Sequence, residues 1–270
     1  TLIAGYHWFT DWGRDTMIAM RGLIIATGKK EAAKSILRTF LQYLDGGMIP
    51  NRFPDLGEKP EYNTIDATLW LFVALHEYHE QFHDVEFIRS FFGKLTEIIN
   101  AHYAGTRYNI HVTPEGLLYG GQDGTQLTWM DAKVGDYVVT PRIGCPVEIN
   151  ALWFNALSVY VSFGNLLGFP VSGYVQKLKD LKSVFRSHFI NEKGYLNDVV
   201  IPGHKADETI RPNQVYAISL PFSPLTNTEA KRVLDVVHQH LYTEYGLRSL
   251  SPFHPDFKPI YTGDQWHRDN

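Results

Sequence analysis

Two kinds of hydrophobic segment alternate along the chain. Residues 14–27, 63–82 and 146–166 are apolar at nearly every position after their first turn. Residues 29–45 and 84–104 instead carry apolar residues at helical spacing and leave a polar side. A helix that is apolar all round is buried on every side, and an amphipathic neighbour covers it. The pattern therefore predicts an inner layer of helices covered by an outer layer.

The alternation continues in the second half of the chain. Residues 170–189 are amphipathic with a lysine-rich side, residues 212–220 form a short inner segment, and residues 226–241 form an outer one. Thr226 is suited to cap that last helix, because an acidic residue follows three positions later. We therefore predict an all-α, single-domain protein over residues 1–270, built as an (α/α)6 double-layered helical barrel, or toroid. Fewer helices are predicted than the six inner–outer pairs of a closed barrel, so we expect an incomplete barrel, truncated at both ends.

Two connections between the predicted helices, residues 106–145 and 190–211, are far longer than is usual in a compact helical protein. They contain Trp, Tyr and Gly rather than the Ser, Glu and Lys that are typical of disorder, so we expect them to be ordered and functional. Within the first connection, Pro114, Glu115 and Gly116 lie between short apolar segments and predict a small β-hairpin.

Composition and charge exclude several classes of partner. The formal net charge is −4 and no long continuous run of lysine and arginine residues occurs, which argues against a nucleic-acid or anionic-membrane surface. The longest continuous apolar runs, which polar residues interrupt, fall well short of the length of a membrane span. Cys145 is the single cysteine, so no internal disulfide is possible and a reducing, cytoplasmic location is expected.

Neither a cofactor nor a metal is expected. The glycine-rich segment YGGQDG lacks the following lysine and helix of a phosphate-binding loop. His79, Glu80 and His83 have a spacing that suits a metal site on a helix but fits a solvated helix end equally well. We interpret these three residues as a solvated helix end.

Polar residues stand at the starts of the predicted inner helices. They are Arg14 and Asp15 in the first, Asn63 and Asp66 in the second, Glu148 and Asn150 in the third, and Arg211, Asn213 and Gln214 in the fourth. One interpretation is structural, because acidic groups in a first helical turn favour the helix dipole. In an (α/α) barrel, however, these starts point to one open face, where the four groups and their aromatic neighbours would form a single pocket. Carboxylates, amides and arginines among aromatic rings suit a neutral, polyhydroxylated ligand, which indicates a carbohydrate.

Five segments carry a family resemblance over essentially the whole chain. In order they are AGYHWFTDWGRDTMIA, GMIPNRF, YNTIDATLW, TWMDAKVGDYVVTPRIGCPVEINALW and IRPNQ. They resemble the C-terminal glucosidase domain of glycogen debranching enzymes, the amylo-α-1,6-glucosidase family, and DWGRD is also similar to a segment of the related glucoamylases. The resemblance implies hydrolysis, with inversion at the anomeric carbon, of the single α-1,6-linked glucose left at a trimmed glycogen branch point. The implied substrate is an α-glucan or branched oligosaccharide.

The resemblance also implies roles for individual residues. Asp131, in LTWMD, matches the general acid of the family, and Trp129 and Met130 beside it supply the apolar surroundings that a proton-donating carboxyl requires. Arg14 and Asp15 match residues that hold the hydroxyls of the terminal glucose. The remaining implied substrate-binding residues are Trp12 as a stacking wall, Trp129, Asp66, Arg142 and Glu148.

Two alternatives stay open beside the hydrolase. The resemblance implies that the general base lies downstream of GDQWHRDN, beyond residue 270, so one alternative is a carbohydrate-binding fragment without turnover. The other is a related barrel glycoside phosphorylase, in which a phosphate site replaces the base. If the base instead lies within the chain, Glu148 is the first residue to suspect.

Overall fold

The structure, a computed structural model, describes residues 2–5, 7, 9–54, 59–260 and 262–264. The described part of the chain contains eight α-helices: α1 (Gly13–Met20), α2 (Lys30–Gln42), α3 (Ala67–Phe82), α4 (Val85–Ala104), α5 (Val147–Leu167), α6 (Ser172–Phe189), α7 (Tyr216–Ser219) and α8 (Asn227–Leu241). Each of the predicted helical segments coincides with one of them. The helical class predicted from the sequence is therefore confirmed.

Two inner segments are not uniform α-helices. After α1 the chain continues as a wider π-helix, Arg21–Ile25, in which the Ala26 N–H donates to the Arg21 carbonyl at 3.0 Å. Before α7, a 3-10 turn spans Pro212–Val215. Proline favours such a start, because its fixed φ suits a helix and its missing N–H costs no hydrogen bond there.

Short antiparallel strand pairs lie in the segments between the helices. They are β1 (Asp11–Trp12) with β2 (Arg52–Phe53), β3 (His111–Val112) with β4 (Leu118–Tyr119), β5 (Lys133–Val134) with β6 (Tyr137–Val138), β7 (Cys145–Pro146) with β8 (Val199–Val200), and β9 (Tyr242–Thr243) with β10 (Gly246–Leu247). The β3–β4 pair confirms the hairpin predicted around Gly116, whose φ of 101° lies in the left-handed region that favours glycine. The β1–β2 and β7–β8 pairs fix the chain directly before α1 and α5.

Burial separates an inner from an outer helical layer. In α5, 18 of 21 residues are buried and in α3, 10 of 16, whereas α6 buries 3 of 18. The inner helices form a continuous arc, because α1 packs against α3, α3 against α5, and α5 against α7. The outer helices α2 and α4 pack on α3, and α4 and α6 pack on α5. The predicted alternation of inner and outer helices is confirmed.

The starts of the inner helices meet at one face of this arc. Arg14, in the first turn of α1, donates a hydrogen bond to Asp66, which directly precedes α3. At the start of α5, the Val147 N–H donates to the carbonyl of Asp198 at 2.9 Å. Asn213, in the turn before α7, donates to the carboxylate of the same Asp198 at 2.8 Å. This face therefore gathers polar groups from all four inner helices.

The outer helix α8 begins with the predicted cap. The Thr226 hydroxyl accepts from the Glu229 N–H at 3.3 Å, and the Glu229 carboxylate accepts from the Thr226 N–H at 2.8 Å. Arg186 on α6 donates to Glu229 at 3.0 Å and ties the two outer helices together. Burial would raise the pKa of Glu229, but the hydrogen bonds from Arg186 and Thr226 lower it to about 2.

Candidate active site

A cleft of about 410 Å³ opens at the face where α1 and α3 begin. Its described lining consists of Ala4, Phe9, Trp12, Arg14, Asp15, Trp129 and Asp131. The structure therefore brings together five of the eight site residues predicted from the sequence.

Trp12 forms one wall of the cleft, and its backbone is held in place from both sides. It belongs to the β1–β2 pair, and the ring of Phe9 stands edge-on to its ring at a centroid distance of 6.4 Å. The next residue, Gly13, donates its N–H to the Asn51 carbonyl at 2.7 Å. A Cβ at Gly13 would approach the carbonyl oxygen of Pro50 to 2.2 Å, so only glycine fits at this position.

Arg14 joins three separate segments at the floor of the cleft. Its Nε donates to the two carboxylate oxygens of Asp66 at 2.9 and 2.8 Å, and its Nη1 donates to Asp131 at 2.8 Å. Its Nη2 donates to the Thr64 hydroxyl at 3.2 Å and to the Leu127 carbonyl at 3.3 Å. Burial would lower the pKa of Arg14, but the charges of Asp66 and Asp131 raise it above its usual range. The guanidinium is therefore a fixed positive charge.

Asp66 lies behind the cleft and not in its described lining. It is only 2% exposed, and its carboxylate receives hydrogen bonds from Arg14 and from the Thr64 hydroxyl. A carboxylate this deeply buried needs such partners, because an unpaired charge in the interior is costly. The structure thus makes Asp66 the residue that orients Arg14.

Trp129 and Asp131 form another side of the cleft and are held from two directions. The indole N–H of Trp129 donates to Oδ1 of Asn213 at 3.0 Å, while two-fifths of the residue stays exposed. The side chain of Asp131 is 51% exposed, and Arg14 binds one of its oxygens. Between them, the Met130 sulfur lies 3.6 Å from the Asn213 amide nitrogen. These three consecutive residues are thereby tied to α1 and to the turn before α7.

Asp15 presents an exposed carboxylate to the same cleft. It follows Arg14 in the chain, but that guanidinium is directed to Asp66 and Asp131. The carboxylate of Asp15 makes no hydrogen bond to a side chain of another described residue. Its oxygens are accessible to a ligand.

Arg142 and Glu148 form a separate buried ion-pair cluster together with Asp198. Arg142 donates to Glu148 through both Nη groups, and to the Asp198 carboxylate at 3.0 and 3.1 Å. The three side chains are 3, 2 and 2% exposed. Arg142 and Glu148 were predicted from the sequence to line the sugar cleft. Neither belongs to its described lining, because each satisfies the charge of the other in the interior.

Asp198 connects this cluster to the cleft. Its carboxylate accepts from the Asn213 amide at 2.8 Å, and Asn213 in turn accepts from Trp129. Burial raises the pKa of Asp198 above its usual range; Arg142 opposes this effect and the like charge of Glu148 adds to it. A continuous chain of hydrogen bonds therefore runs from the wall of the cleft to the buried charges.

Asp198 and Thr64 are two residues of this region that were not predicted from the sequence. Asp198 lies in the long connection 190–211, where it is the last polar residue before an apolar pair in the segment YLNDVV. A lone carboxylate among apolar residues of an ordered connection is the signal that would have identified it. The sequence gives no such signal for Thr64, because threonine is also common at exposed loop positions that have no function.

Comparison with known sequences identifies the family. The sequence model of the family described as amylo-alpha-1,6-glucosidase matches residues 1–270. The chain belongs to this family. The resemblance inferred from the five segments is thereby confirmed, and the amylo-alpha-1,6-glucosidase family is one of glycoside hydrolases.

One curated relative of this amylo-alpha-1,6-glucosidase family member is the glycogen debranching enzyme of Saccharomyces cerevisiae. It is 23% identical over 339 residues, an alignment that covers 94% of this chain and 22% of the relative. The chain thus spans less than a quarter of the length of that protein.

Solved structures show the same fold at low sequence identity. The GH63 mannosylglycerate hydrolase from Thermus thermophilus in complex with glucose has a TM-score of 0.64 and 13% identity, covering 92% of this chain and 75% of its own. A rhamnosidase from Klebsiella oxytoca with rhamnose bound has a TM-score of 0.60 and 12% identity, covering 85% of this chain and 41% of its own. These neighbours are (α/α)6 barrel glycosidases, so the predicted barrel class is confirmed.

Neither a helix suited to span a membrane nor a cluster suited to a metal ion occurs among the described residues. None of the described helices combines the length and the apolar character needed to span a bilayer. No group of three or more His, Cys, Asp and Glu residues within the described part of the chain is placed to hold a metal ion.

Proposed function

We propose that this protein is an inverting glycoside hydrolase that removes α-1,6-linked glucose from the branch points of glycogen or a limit dextrin. Membership of the amylo-alpha-1,6-glucosidase family and the likeness to a protein named glycogen debranching enzyme support this substrate. The proposed partner is therefore an α-glucan or branched oligosaccharide. A cytoplasmic location is part of the proposal, because glycogen is an intracellular store.

The observation that carries the proposal is the composition of the Trp12 cleft. Its volume of about 410 Å³ falls within the range of about 300–1,000 Å³ that is typical of small-molecule sites. A pyranose ring has apolar C–H faces, which suit the indole surfaces of Trp12 and Trp129. Its hydroxyls both donate and accept, which suits the guanidinium of Arg14 beside the accessible carboxylate of Asp15.

Asp131 is the proposed general acid. Inverting hydrolysis needs one carboxyl group that donates a proton to the leaving oxygen and a second carboxylate, roughly 6.5–9.5 Å away, that activates water on the opposite face. Asp131 lines the cleft with half of its side chain exposed, so the glycosidic oxygen of a bound glucose has access to it. The resemblance implies that the second carboxylate lies beyond residue 270.

Proton donation by Asp131 requires a change at Arg14. In the free protein Arg14 donates to Asp131 at 2.8 Å and so occupies one of the two oxygens that could face the glycosidic oxygen. We propose that the hydroxyls of a bound glucose take over this donor, so that Asp131 is released from Arg14, takes up a proton from solvent and donates it to the glycosidic oxygen. Arg14 stays in place meanwhile, because Asp66 holds its Nε.

The test uses Asp131→Asn in the full-length protein encoded by the gene. We expect glucose affinity to persist and hydrolysis of branched dextrin to fall by about 10²–10⁴-fold, the usual contribution of a general acid. The loss should be smaller for α-glucosyl fluoride, because fluoride leaves without a proton. Equal losses on both substrates, or a loss of glucose binding, would assign Asp131 to binding and contradict the proposed role.

A further inference from the structure

A second cleft, of about 700 Å³, lies outside the Trp12 cleft. The residues of its lining that matter here are Asp45, Lys59, Glu61, Tyr62, Arg107 and Tyr108. None of these belongs to the described lining of the Trp12 cleft. We call this feature the Tyr62 cleft.

The Tyr62 cleft opens on the same face of the helical layers as the Trp12 cleft. Asp45 follows the end of the outer helix α2, Arg107 follows the end of the outer helix α4, and Tyr62 shortly precedes the inner helix α3. Outer helices end where inner helices begin, because successive helices run in opposite directions. A polymer bound at this face can therefore reach both clefts.

A short hydrogen-bonded path separates the two clefts. Asn63, at the edge of the Tyr62 cleft, accepts from the Asn51 amide at 3.0 Å. The Asn51 carbonyl accepts from the N–H of Gly13 at 2.7 Å, directly after Trp12. The two clefts are thus linked by two hydrogen bonds through Asn51.

The ring of Tyr62 is fixed in place. The guanidinium of Arg107 lies 4.6 Å from the centroid of the Tyr62 ring, and the Tyr62 hydroxyl donates to the Tyr43 carbonyl at 2.8 Å. Arg107 is itself held by the Asp45 carbonyl at 2.8 Å and by the Asp45 carboxylate. A rigid aromatic ring can pack against a sugar ring with little loss of conformational entropy.

Tyr108 occupies this cleft in an unfavourable backbone conformation. Its φ is 58° and that of Asn109 is 57°, so two successive residues other than glycine lie in the left-handed region. The Tyr108 carbonyl accepts from the Gly121 N–H at 3.0 Å and helps to hold this arrangement. Strain of this kind persists where the surroundings enforce it and is concentrated at functional sites.

The charges of the Tyr62 cleft indicate an uncharged ligand. The carboxylates of Asp45 and Glu61 balance the cations of Lys59 and Arg107, so neither an anionic nor a cationic ligand is favoured. The Asp45 and Glu61 side chains are 62 and 40% exposed and can accept hydrogen bonds from hydroxyl groups. Tyrosine rings beside exposed hydrogen-bonding groups match the apolar faces and the hydroxyls of a glucose chain.

We propose that the Tyr62 cleft is a second carbohydrate site, which binds an internal stretch of an α-glucan chain while the Trp12 cleft receives a terminal glucose. This inference rests on the proposed function, because that function supplies a polymeric glucan. The site raises affinity for the polymer by linking two binding events on one chain. It does not take part in bond cleavage.

The test compares glucose with the linear probe maltoheptaose by isothermal titration calorimetry. Tyr62→Ala and Tyr108→Ala should each weaken maltoheptaose binding about tenfold, as is common when an aromatic contact residue is truncated, and leave glucose binding unchanged. Tyr108→Phe, which keeps the ring, should bind maltoheptaose within about twofold of the wild type. Tyr245→Ala, a change at a 93% exposed tyrosine between β9 and β10, is the control and should alter neither ligand.

A second measurement needs no substitution and so does not depend on the variants folding. Hydroxyl-radical footprinting of the unmodified protein should show that maltoheptaose protects Tyr62 and Tyr108 but not Tyr245. The second site is refuted if maltoheptaose protects neither cleft tyrosine and binds the alanine variants as it binds the wild type. In that case, loss of glucose binding in Trp12→Ala would still support the proposed function. If the wild type binds neither glucose nor maltoheptaose, both the second site and the proposed function are refuted.

Discussion

Replacing Arg14 by methionine should weaken the fold as well as the sugar cleft. The Arg14 side chain is 12% exposed and that of its partner Asp66 is 3% exposed. Removing one partner of a buried ion pair typically costs about 3–5 kcal/mol, because the other charge is left without compensation. Asp66 would keep its contact with Thr64, so we expect a loss near the lower limit, about 3 kcal/mol.

A double variant separates this charge effect from lost packing. Asp66→Asn removes the carboxylate that Arg14→Met leaves unpaired, so the combined variant should be about 1–2 kcal/mol more stable than the sum of the two single losses predicts. Free energies of unfolding are measured by urea titration and far-UV circular dichroism. Lys231→Met is the control, since its pair with Asp235 is 74 and 64% exposed and should contribute less than about 1 kcal/mol. An Arg14→Met loss below about 1 kcal/mol, or strictly additive losses, would refute the buried ion pair.

Three further predictions concern the wall of the cleft, the cap of α8 and the close approach before α1. Trp129→Phe keeps an aromatic ring but removes the N–H that donates to Asn213, so glucose affinity measured by calorimetry should fall about two- to tenfold. Unchanged affinity would contradict the role of this hydrogen bond in positioning the Trp129 ring. Glu229→Gln should be less stable than the wild type above about pH 4.5. The difference in urea midpoint should shrink as the pH falls towards the lowered Glu229 pKa of about 2, because protonation then removes the same charge in the wild type. A difference that stays constant over this pH range would contradict the role of the Glu229 charge. Gly13→Ala should cost about 1–3 kcal/mol of stability in thermal unfolding, since its Cβ meets a backbone carbonyl oxygen at 2.2 Å. Gly22→Ala is the control and should be neutral, because its Cβ meets nothing within 4 Å. Equal effects of the two substitutions would be inconsistent with the close approach at Gly13.

The layered fold could be predicted because burial determines the sequence pattern directly. A helix such as α5, with 18 of 21 residues buried, has to be apolar on every face, and α6, with 3 of 18 buried, cannot be. The Thr226 cap was predictable for a similar reason, since the capping box depends on residues only three apart. The π-helix Arg21–Ile25 carries no comparable pattern in the sequence, and it appears only in the structure.

The candidate site could be predicted only in part, because helix starts look alike in sequence. Asp15 and Glu148 both lie in the first turn of an inner helix, yet Asp15 is exposed in the cleft and Glu148 is 2% exposed. The difference comes from distant segments. Arg142 and Asp198 converge on Glu148 in the interior, whereas no described residue covers Asp15 in this way. Such long-range partners leave no local spacing for a sequence pattern to detect.

The most direct test follows glucose release by proton NMR. The full-length protein encoded by the gene is mixed with a limit dextrin that carries single α-1,6-linked glucose units, and the anomeric signals are recorded from the first turnover onwards. If the protein is an inverting glucosidase, β-glucose appears first and then mutarotates. The Asp131→Asn variant should release almost no glucose. Release of α-glucose first, or no release of glucose by the wild-type protein, would contradict the proposed function.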